Sequence, residues 1–407
     1  MTQTKQCSPG QDTKDKANRS ARPVYLDNQA TTPTDPRVVE AMLPFFNERF
    51  GNAHSAAHAY GWDAEDAVER ARADLAALIG ASPREIVFTS GATEANNLAI
   101  KGAARFHRAA RPHVVTYATE HKCVLESCRQ LEREGFRVTI LPVQPDGLID
   151  LDLLADTVSD ETAVVSVMAV NNEIGVIQPL AEIAAICREK GAYFHSDAAQ
   201  AVGKIPVNVV DSGIDLLSIS GHKFYAPMGI GALYVRRRPR VRLEAMIDGG
   251  GQERGLRSGT LATPLCVGLG MAARLAAEEM PEETARISGL KTRLLEGIRS
   301  RLDGVLLNAD AEARVAGNLN LAFEGVDAEA LMKAMPRLAL SSGSACTSTS
   351  VEPSYVLRAL GMPEARARAS LRVGIGRFTS EADIDLAIEE FAAKVASLRA
   401  EGSQAAE

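Results

Sequence analysis

The sequence predicts an α/β fold: a mostly parallel sheet covered by helices on both faces, followed by a smaller α+β unit of mixed sheet. Three observations predict it. Short, fully apolar runs alternate with stretches of helical periodicity from Val24 onward, the pattern of strands buried on both faces. Polar clusters stand at the carboxyl ends of those runs, where open α/β sheets bind ligands. Past residue 281 the pattern changes to a long helix, a few strands and a closing helix.

Taken in order, residues 1–22 are polar with no apolar centre, which excludes a secretory signal and reads as a mobile tail. Residues 24–27 form a short strand, and helical periodicity runs over 36–50 and 62–80. A strand at 86–89 leads into a helix over 92–102, and one at 114–117 into a helix over 123–134. Short strands follow at 138–141, 163–170, 193–195, 216–220 and 231–235. The stretch 260–277 carries Pro264 and Arg274, so it reads as a buried helix rather than a membrane span. Pro281-Glu-Glu is expected to open a helix reaching about residue 302, at the hinge between a large domain, 23–280, and a small one, 281–407. The small domain has strands near 318–323, 338–342 and 369–373 and a helix over 381–400.

The 407 residues are 46% hydrophobic and 24% charged, which excludes a disordered, collagen-like or disulfide-stapled chain. Forty-five basic against 52 acidic residues give a net charge of −7, so nucleic acid and anionic membranes are poor partners. The six cysteines are scattered without a CxxC pair, so neither zinc nor a disulfide framework is expected, and no resident metal. Reduced thiols suit a cytoplasmic location. The basic run 236–242 has no interleaved aromatics and reads as a solvated face or a subunit contact.

The strand ends carry the chemistry. They read Ser90-Gly-Ala-Thr93, Glu120-His121, Asn171-Asn-Glu173, Asp197 with Gln200, and Ser220-Gly-His-Lys223. The first opens a helix, whose free N–H groups suit a phosphate as well as a plain cap. Lys223 is a solvated lysine or, with a lowered pKa, an amine that forms a Schiff base with an aldehyde. Asp197 is a helix cap or the partner of a pyridinium nitrogen, which makes a pyridoxal phosphate ring an electron sink. His121 is a structural histidine or a ring-stacking proton shuttle. Arg372 offers a fork for a substrate carboxylate or a salt bridge on the sheet. Arg257-Ser-Gly-Thr260 is a loop or a phosphate contact. Cys346 lies in Ser341-Ser-Gly-Ser-Ala-Cys-Thr-Ser-Thr-Ser350, a loop of small hydroxylic residues where a thiol that swings to a substrate fits. Cys123, Cys128, Cys187 and Cys266 read as packed thiols on helices.

In this order the segments Leu26-Asp-Asn-Gln-Ala-Thr-Thr-Pro33, Ser90 to Asn97, Thr119-Glu-His-Lys122, Asn171 to Gly175, Asp197-Ala-Ala-Gln200, Ser218 to Lys223, Arg257 to Thr260 and Ser341 to Thr347 resemble the cysteine desulfurases of the NifS/IscS group. These are fold-type I PLP (pyridoxal 5'-phosphate) enzymes. The serine/threonine loop, about 341–352, resembles the class with an extended cysteine loop. The resemblance implies a seven-stranded sheet in the PLP-binding domain. It implies Lys223 as the PLP lysine and later base, Asp197 at the pyridine nitrogen, and His121 stacked on the ring. Asn172 and Gln200 would bond the ring oxygen. Ala92, Thr93, Ser220 and His222 would cradle the phosphate, with Thr260 supplied by the partner of a homodimer. Arg372 and Asn172 would hold the carboxylate of L-cysteine, and Cys346 would take the sulfur as a persulfide, leaving alanine. Cys346 would then serve an acceptor such as an iron–sulfur scaffold or a tRNA-thiolation relay protein, touching a cluster or metal only in passing. Selenocysteine lyase and aminotransferase are the alternative activities. The sequence departs from the group at Ala226-Pro-Met-Gly229, often Gly-Pro-Lys-Gly, and at 52–58, which lacks the usual Pro and Arg. It closes on Gly402-Ser-Gln-Ala-Ala-Glu407, without the longer segment by which some relatives dock a scaffold, which leaves the acceptor open.

Overall fold

A computed structural model of the chain describes residues 22–309, 312–342 and 353–406. Most of the expected tail, Cys7, and most of the cysteine loop with Cys346 lie outside the described residues.

Alternation within the apolar runs sets the architecture. The strands in chain order are β1 (Val24–Tyr25), β2 (Ile86–Thr89), β3 (His113–Tyr117), β4 (Arg137–Leu141), β5 (Thr162–Ser166), β6 (Tyr193–Asp197), β7 (Leu216–Ser220), β8 (Gly231–Val235), β9 (Val305–Leu307), β10 (Asn318–Phe323), β11 (Leu338–Ala339) and β12 (Ser370–Gly374). Seven of them form one sheet in the order β2-β8-β7-β6-β5-β3-β4. It is parallel except for β8, which runs antiparallel to both β7 and β2. Successive residues point to opposite faces. Val87, Val114, Val164 and Leu216 pack under the helices Ala92–His107 and Lys122–Arg133. Their neighbours Phe88, Val115, Val165 and Leu217 pack on the other face, with Leu75, Ile183 and Leu269.

The remaining strands assemble from distant parts of the chain. Antiparallel β9, β10 and β12 form a second sheet, whose core includes Leu321, Leu371 and the stacked rings of Phe323 and Phe391, 5.3 Å apart. β1 pairs in parallel with β11, so the first strand joins the last third of the chain. β9 is a short strand that the apolar pattern did not signal.

The expectation that Pro281 opens a helix is corrected. Thr263–Arg299 is one helix of 37 residues with Pro281 inside it. An interior proline costs about 3 kcal/mol. Packing outweighs that cost: Leu269, Ala273 and Leu275 are buried in the large core, and Ile287, Leu290, Leu294 and Ile298 in the C-terminal one. Ala277, whose carbonyl loses its donor to Pro281, is exposed to water. Among the described residues no helix is long and apolar enough to cross a membrane.

Candidate active site

The carboxyl ends of β3, β5, β6 and β7 lie along one edge of the sheet, and the loops that leave those strands carry the candidate residues. Asp197 is the last residue of β6 and is buried. Lys223 closes the single turn Gly221–Lys223 after β7. Its Nζ donates to the carbonyls of Gln29, at 2.8 Å, and Ala30, at 2.7 Å. Gln200 Nε2 donates to the same Gln29 carbonyl at 2.8 Å, which ties the amide to the lysine. His121 caps the helix Lys122–Arg133, its Nδ1 accepting from the backbone N–H of Cys123 at 3.3 Å. The fields of Asp197 and Lys223 both reach His121, with opposite effect on its charge, and burial holds the imidazole toward its neutral form.

The phosphate-like end is open. Gly91 precedes the helix Ala92–His107 at φ 153°, no side chain caps the first turn, and a Cβ built on Gly91 meets nothing within 4 Å. Gly231, opposite Ser220 in the β7–β8 pair, backs onto Gly91 so closely that a Cβ there would sit 2.7 Å from the Gly91 Cα. That glycine brings Ser220 to the helix N-terminus, where an anion is favoured. Thr93 is exposed in that first turn. His222 Nδ1 lies 2.9 Å from Thr31 Oγ1, and burial with the nearby Lys223 pushes its pKa down to about 4. Thr260 is exposed on the loop after Gly249, and Arg257 is held in the same chain by Glu94 at 2.8 Å.

Arg372 on β12 is 1% exposed and joins the two sheets. Its Nη1 donates to the Asn172 carbonyl at 2.9 Å and its Nη2 to Asp27 Oδ1 at 2.8 Å. Its Nε and the Asn172 Oδ1 are buried with no partner among the described residues. Such orphans are uncommon, because an unmade buried hydrogen bond costs about 1–3 kcal/mol. Both flanks of the cysteine loop are tied here: the Arg372 N–H donates to the Ser341 carbonyl at 2.7 Å, and the Ser354 hydroxyl donates to Glu173, next to Asn172.

Lys223, Asp197, His121, Asn172, Gln200 and Arg372 stand together in this region, Ala92, Thr93, Ser220 and His222 stand at its open end, and Thr260 lies on its own exposed loop. Sequence reasoning missed the residues that hold them. Asn96 donates to Asp197 Oδ2 at 2.7 Å. Lys204 Nζ donates to Gln200 Oε1 at 2.5 Å, and burial beside Lys223 and Arg372 draws its pKa down to about 7. Cys123 was expected to pack. It does pack against the core beneath its helix, and its Sγ also lies 3.0 Å from His121 Nδ1. The one available signal was its place two residues after a capping histidine. Cys128, Cys187 and Cys266 are buried as expected.

Comparison with known proteins places the chain. Residues 24–386 match the aminotransferase class-V family. Cysteine desulfurase IscS of Rickettsia bellii (strain OSU 85-389) is 58% identical over 382 residues, 94% of this chain and 93% of that protein. The chain belongs to the cysteine desulfurases of the aminotransferase class-V family. Cysteine desulfurase IscS of Rickettsia rickettsii (strain Iowa) is 57% identical over 94% of this chain and 93% of its own. Among solved structures, a NifS-like protein superposes with a TM-score of 0.86 at 34% identity, over 92% of this chain and all of that one. SspA in complex with cysteine gives 0.78 at 40% identity, over 88% of this desulfurase and 99% of that chain. The fold is accordingly the fold-type I arrangement that the resemblance implied, and the protein is an enzyme.

Proposed function

We propose that this cysteine desulfurase removes the sulfur of L-cysteine with the help of PLP bound at Lys223 and passes it on from Cys346. The observation that carries the reading is the meeting of Lys223, Asp197 and His121 at adjoining strand ends, beside the orphaned Asn172 Oδ1 and Arg372 Nε. The residues present fit PLP: an amine, a carboxylate for a pyridine nitrogen, an unpartnered amide oxygen and an uncapped helix N-terminus beside open space. When bound, PLP supplies an electron sink that allows the C–S bond to break.

The remaining roles belong to this chain. Lys223 holds the cofactor and moves a proton at the substrate carbon. Asp197 keeps a proton on the ring nitrogen, and Asn172 and Gln200 hold the ring oxygen. Ala92, Thr93, Ser220 and His222 bind the phosphate. His121 would stand against the ring and would carry a proton on its imidazole. Arg372 and Asn172 orient the substrate carboxylate through the free guanidinium donor. The Cys346 thiol takes the substrate sulfur: one C–S bond breaks, one S–S bond forms, and the products are alanine and a Cys346 persulfide. The tied flanks Ser341 and Ser354 support this role, since both ends of the loop start from the site. The relative solved with cysteine supports the substrate.

We further propose a homodimer in which Thr260 serves the partner's phosphate site. Leu43, Phe46, Phe50, Tyr60 and Trp62 are each more than half exposed along one short stretch, an apolar patch that a second copy covers. The cofactor unit is taken as 23–280, the smaller unit as 281–407, the acceptor as an iron–sulfur scaffold or tRNA-thiolation relay protein, and the location as the cytoplasm.

The test is sulfide and alanine release from L-cysteine with a thiol reductant, comparing the parent with Cys346→Ala and Lys223→Ala. The parent is expected to release both products, Cys346→Ala to keep the visible cofactor band and lose sulfide, and Lys223→Ala to lose both. Unchanged sulfide release from Cys346→Ala removes that residue from the reaction.

A further inference from the structure

We propose that Cys123 is a positioning residue whose thiol joins its own backbone N–H in donating to His121 Nδ1, so that the imidazole keeps its proton on Nε2 and is held toward its neutral form. The proposal deepens the reading above, in which His121 moves a proton. It starts from an accounting of donors. Two groups face Nδ1: the backbone N–H of Cys123 at 3.3 Å and its Sγ at 3.0 Å. An N–H on Nδ1 would point at the backbone N–H, donor against donor, so Nδ1 accepts. The sulfur is therefore the second donor.

The far side of the sulfur agrees. Asn96 Nδ2 lies 3.1 Å from Sγ and 2.7 Å from Asp197 Oδ2. The carboxylate can only accept, so the amide nitrogen is the end that faces it, and its second hydrogen points to the sulfur lone pair. Burial and the charge of Asp197 push the Cys123 thiol up to about 12, which keeps the S–H in place. The chain thus spreads from Asn96, whose two amide hydrogens go to Asp197 on one side and Cys123 on the other, and Cys123 donates on to His121. It links the residue beneath the ring nitrogen to the residue stacked on the ring. A donor on Nδ1 opposes protonation there and leaves Nε2–H, on the opposite side of the ring, as the one ring N–H of the neutral imidazole. The groups that reach His121 electrostatically are Asp197, which favours its charged form, and Lys223 and Lys122, which oppose it.

The test reads the imidazole directly. Long-range proton–nitrogen NMR on the full-length, cofactor-free protein, labelled at histidine nitrogen, reports the His121 tautomer as pH is lowered. Parent and Cys123→Ser are expected to show one Nε2–H species. Cys123→Ala keeps the backbone N–H and so is expected to keep the Nε2–H species, but to protonate about one pH unit higher, the loss of one hydrogen bond to the neutral ring. Cys123→Val, close in volume to cysteine, serves the same arm where the alanine variant folds poorly. In the loaded enzyme the acid limb of the kcat profile should move up in pH with Cys123→Ala and return with Cys123→Ser. An unchanged protonation midpoint in Cys123→Ala and Cys123→Val overturns the proposal, whether or not the enzyme desulfurates cysteine. An NMR shift with no desulfuration in any variant upholds the positioning and rejects the reaction.

Discussion

Arg72 and Arg372 are each buried against a carboxylate, yet their hydrogen bonds are filled differently. Arg72 Nε donates to Glu69, Nη1 to the Ile86 carbonyl and Glu253, and Nη2 to Glu253 at 2.7 Å. Every nitrogen of that guanidinium is engaged. Glu253 in turn accepts from the Phe88 N–H and sits at φ 49°, followed by Arg254 at φ 60°. Two adjacent non-glycine residues in the left-handed region are costly, and the ion pair is what holds that loop against β2. Arg372 is equally buried, but its Nε has no partner among the described residues. A saturated buried arginine is an anchor. One whose donor is idle among the described residues suits the ligand role proposed for Arg372, because an idle buried donor costs stability until something fills it.

The largest effect is expected at the anchor. Glu253→Gln keeps the shape and removes the buried charge, leaving Arg72 with only the exposed Glu69 carboxylate opposite it, at about 3 kcal/mol of stability. A clear fall in melting temperature, with the KM for cysteine held in the surviving folded enzyme, fits the anchor role. A variant as stable as the parent breaks the comparison.

Arg372→Lys is the complementary case. A lysine keeps the charge but loses the fork. The expected result is a loss of kcat/KM of roughly 30-fold, about 2 kcal/mol, carried mainly by KM, with a smaller change in melting temperature than Glu253→Gln. Equal destabilisation with unchanged KM would make Arg372 a second anchor.

A third effect concerns buried groups that have no opposite charge at all. Burial lowers His113 to about 4, His195 to about 3 and His222 to about 4, against an ordinary 6.5. Between about pH 6.5 and 4 the unfolded chain binds more protons than the folded one. Stability from these three is complete above pH 6.5 and is lost as pH falls toward 4. Melting temperatures from pH 7 to 5, above most carboxylate titration, should fall steadily. A flat profile would mean the three rings charge as readily folded as unfolded.

The contrast between the two arginines also marks how far the sequence reaches. Lys223, Asp197, His121 and Arg372 were legible because each stands at a strand end or on a strand whose apolar run announces it. Their partners were not legible. Lys223 is held by Gln29, 194 residues away, Asp197 by Asn96, 101 away, and Arg372 by Asp27, 345 away. No local pattern encodes those distances. The helix through Pro281 was misread for the same reason, since proline is a local signal and the cores that override it are not.

The sequence alone determined the alternation of buried strands and helices, the polar groups at the strand ends and the family to which they belong. These follow from periodicity and from residue types whose chemistry is intrinsic. Tertiary structure decided the rest: which donor of Arg372 stays idle, which nitrogen of His121 accepts, and that Cys123 and Lys204 stand at the site. Those outcomes depend on the hydrogen-bond partners that folding brings within 3 Å, and a partner is a property of the packed chain.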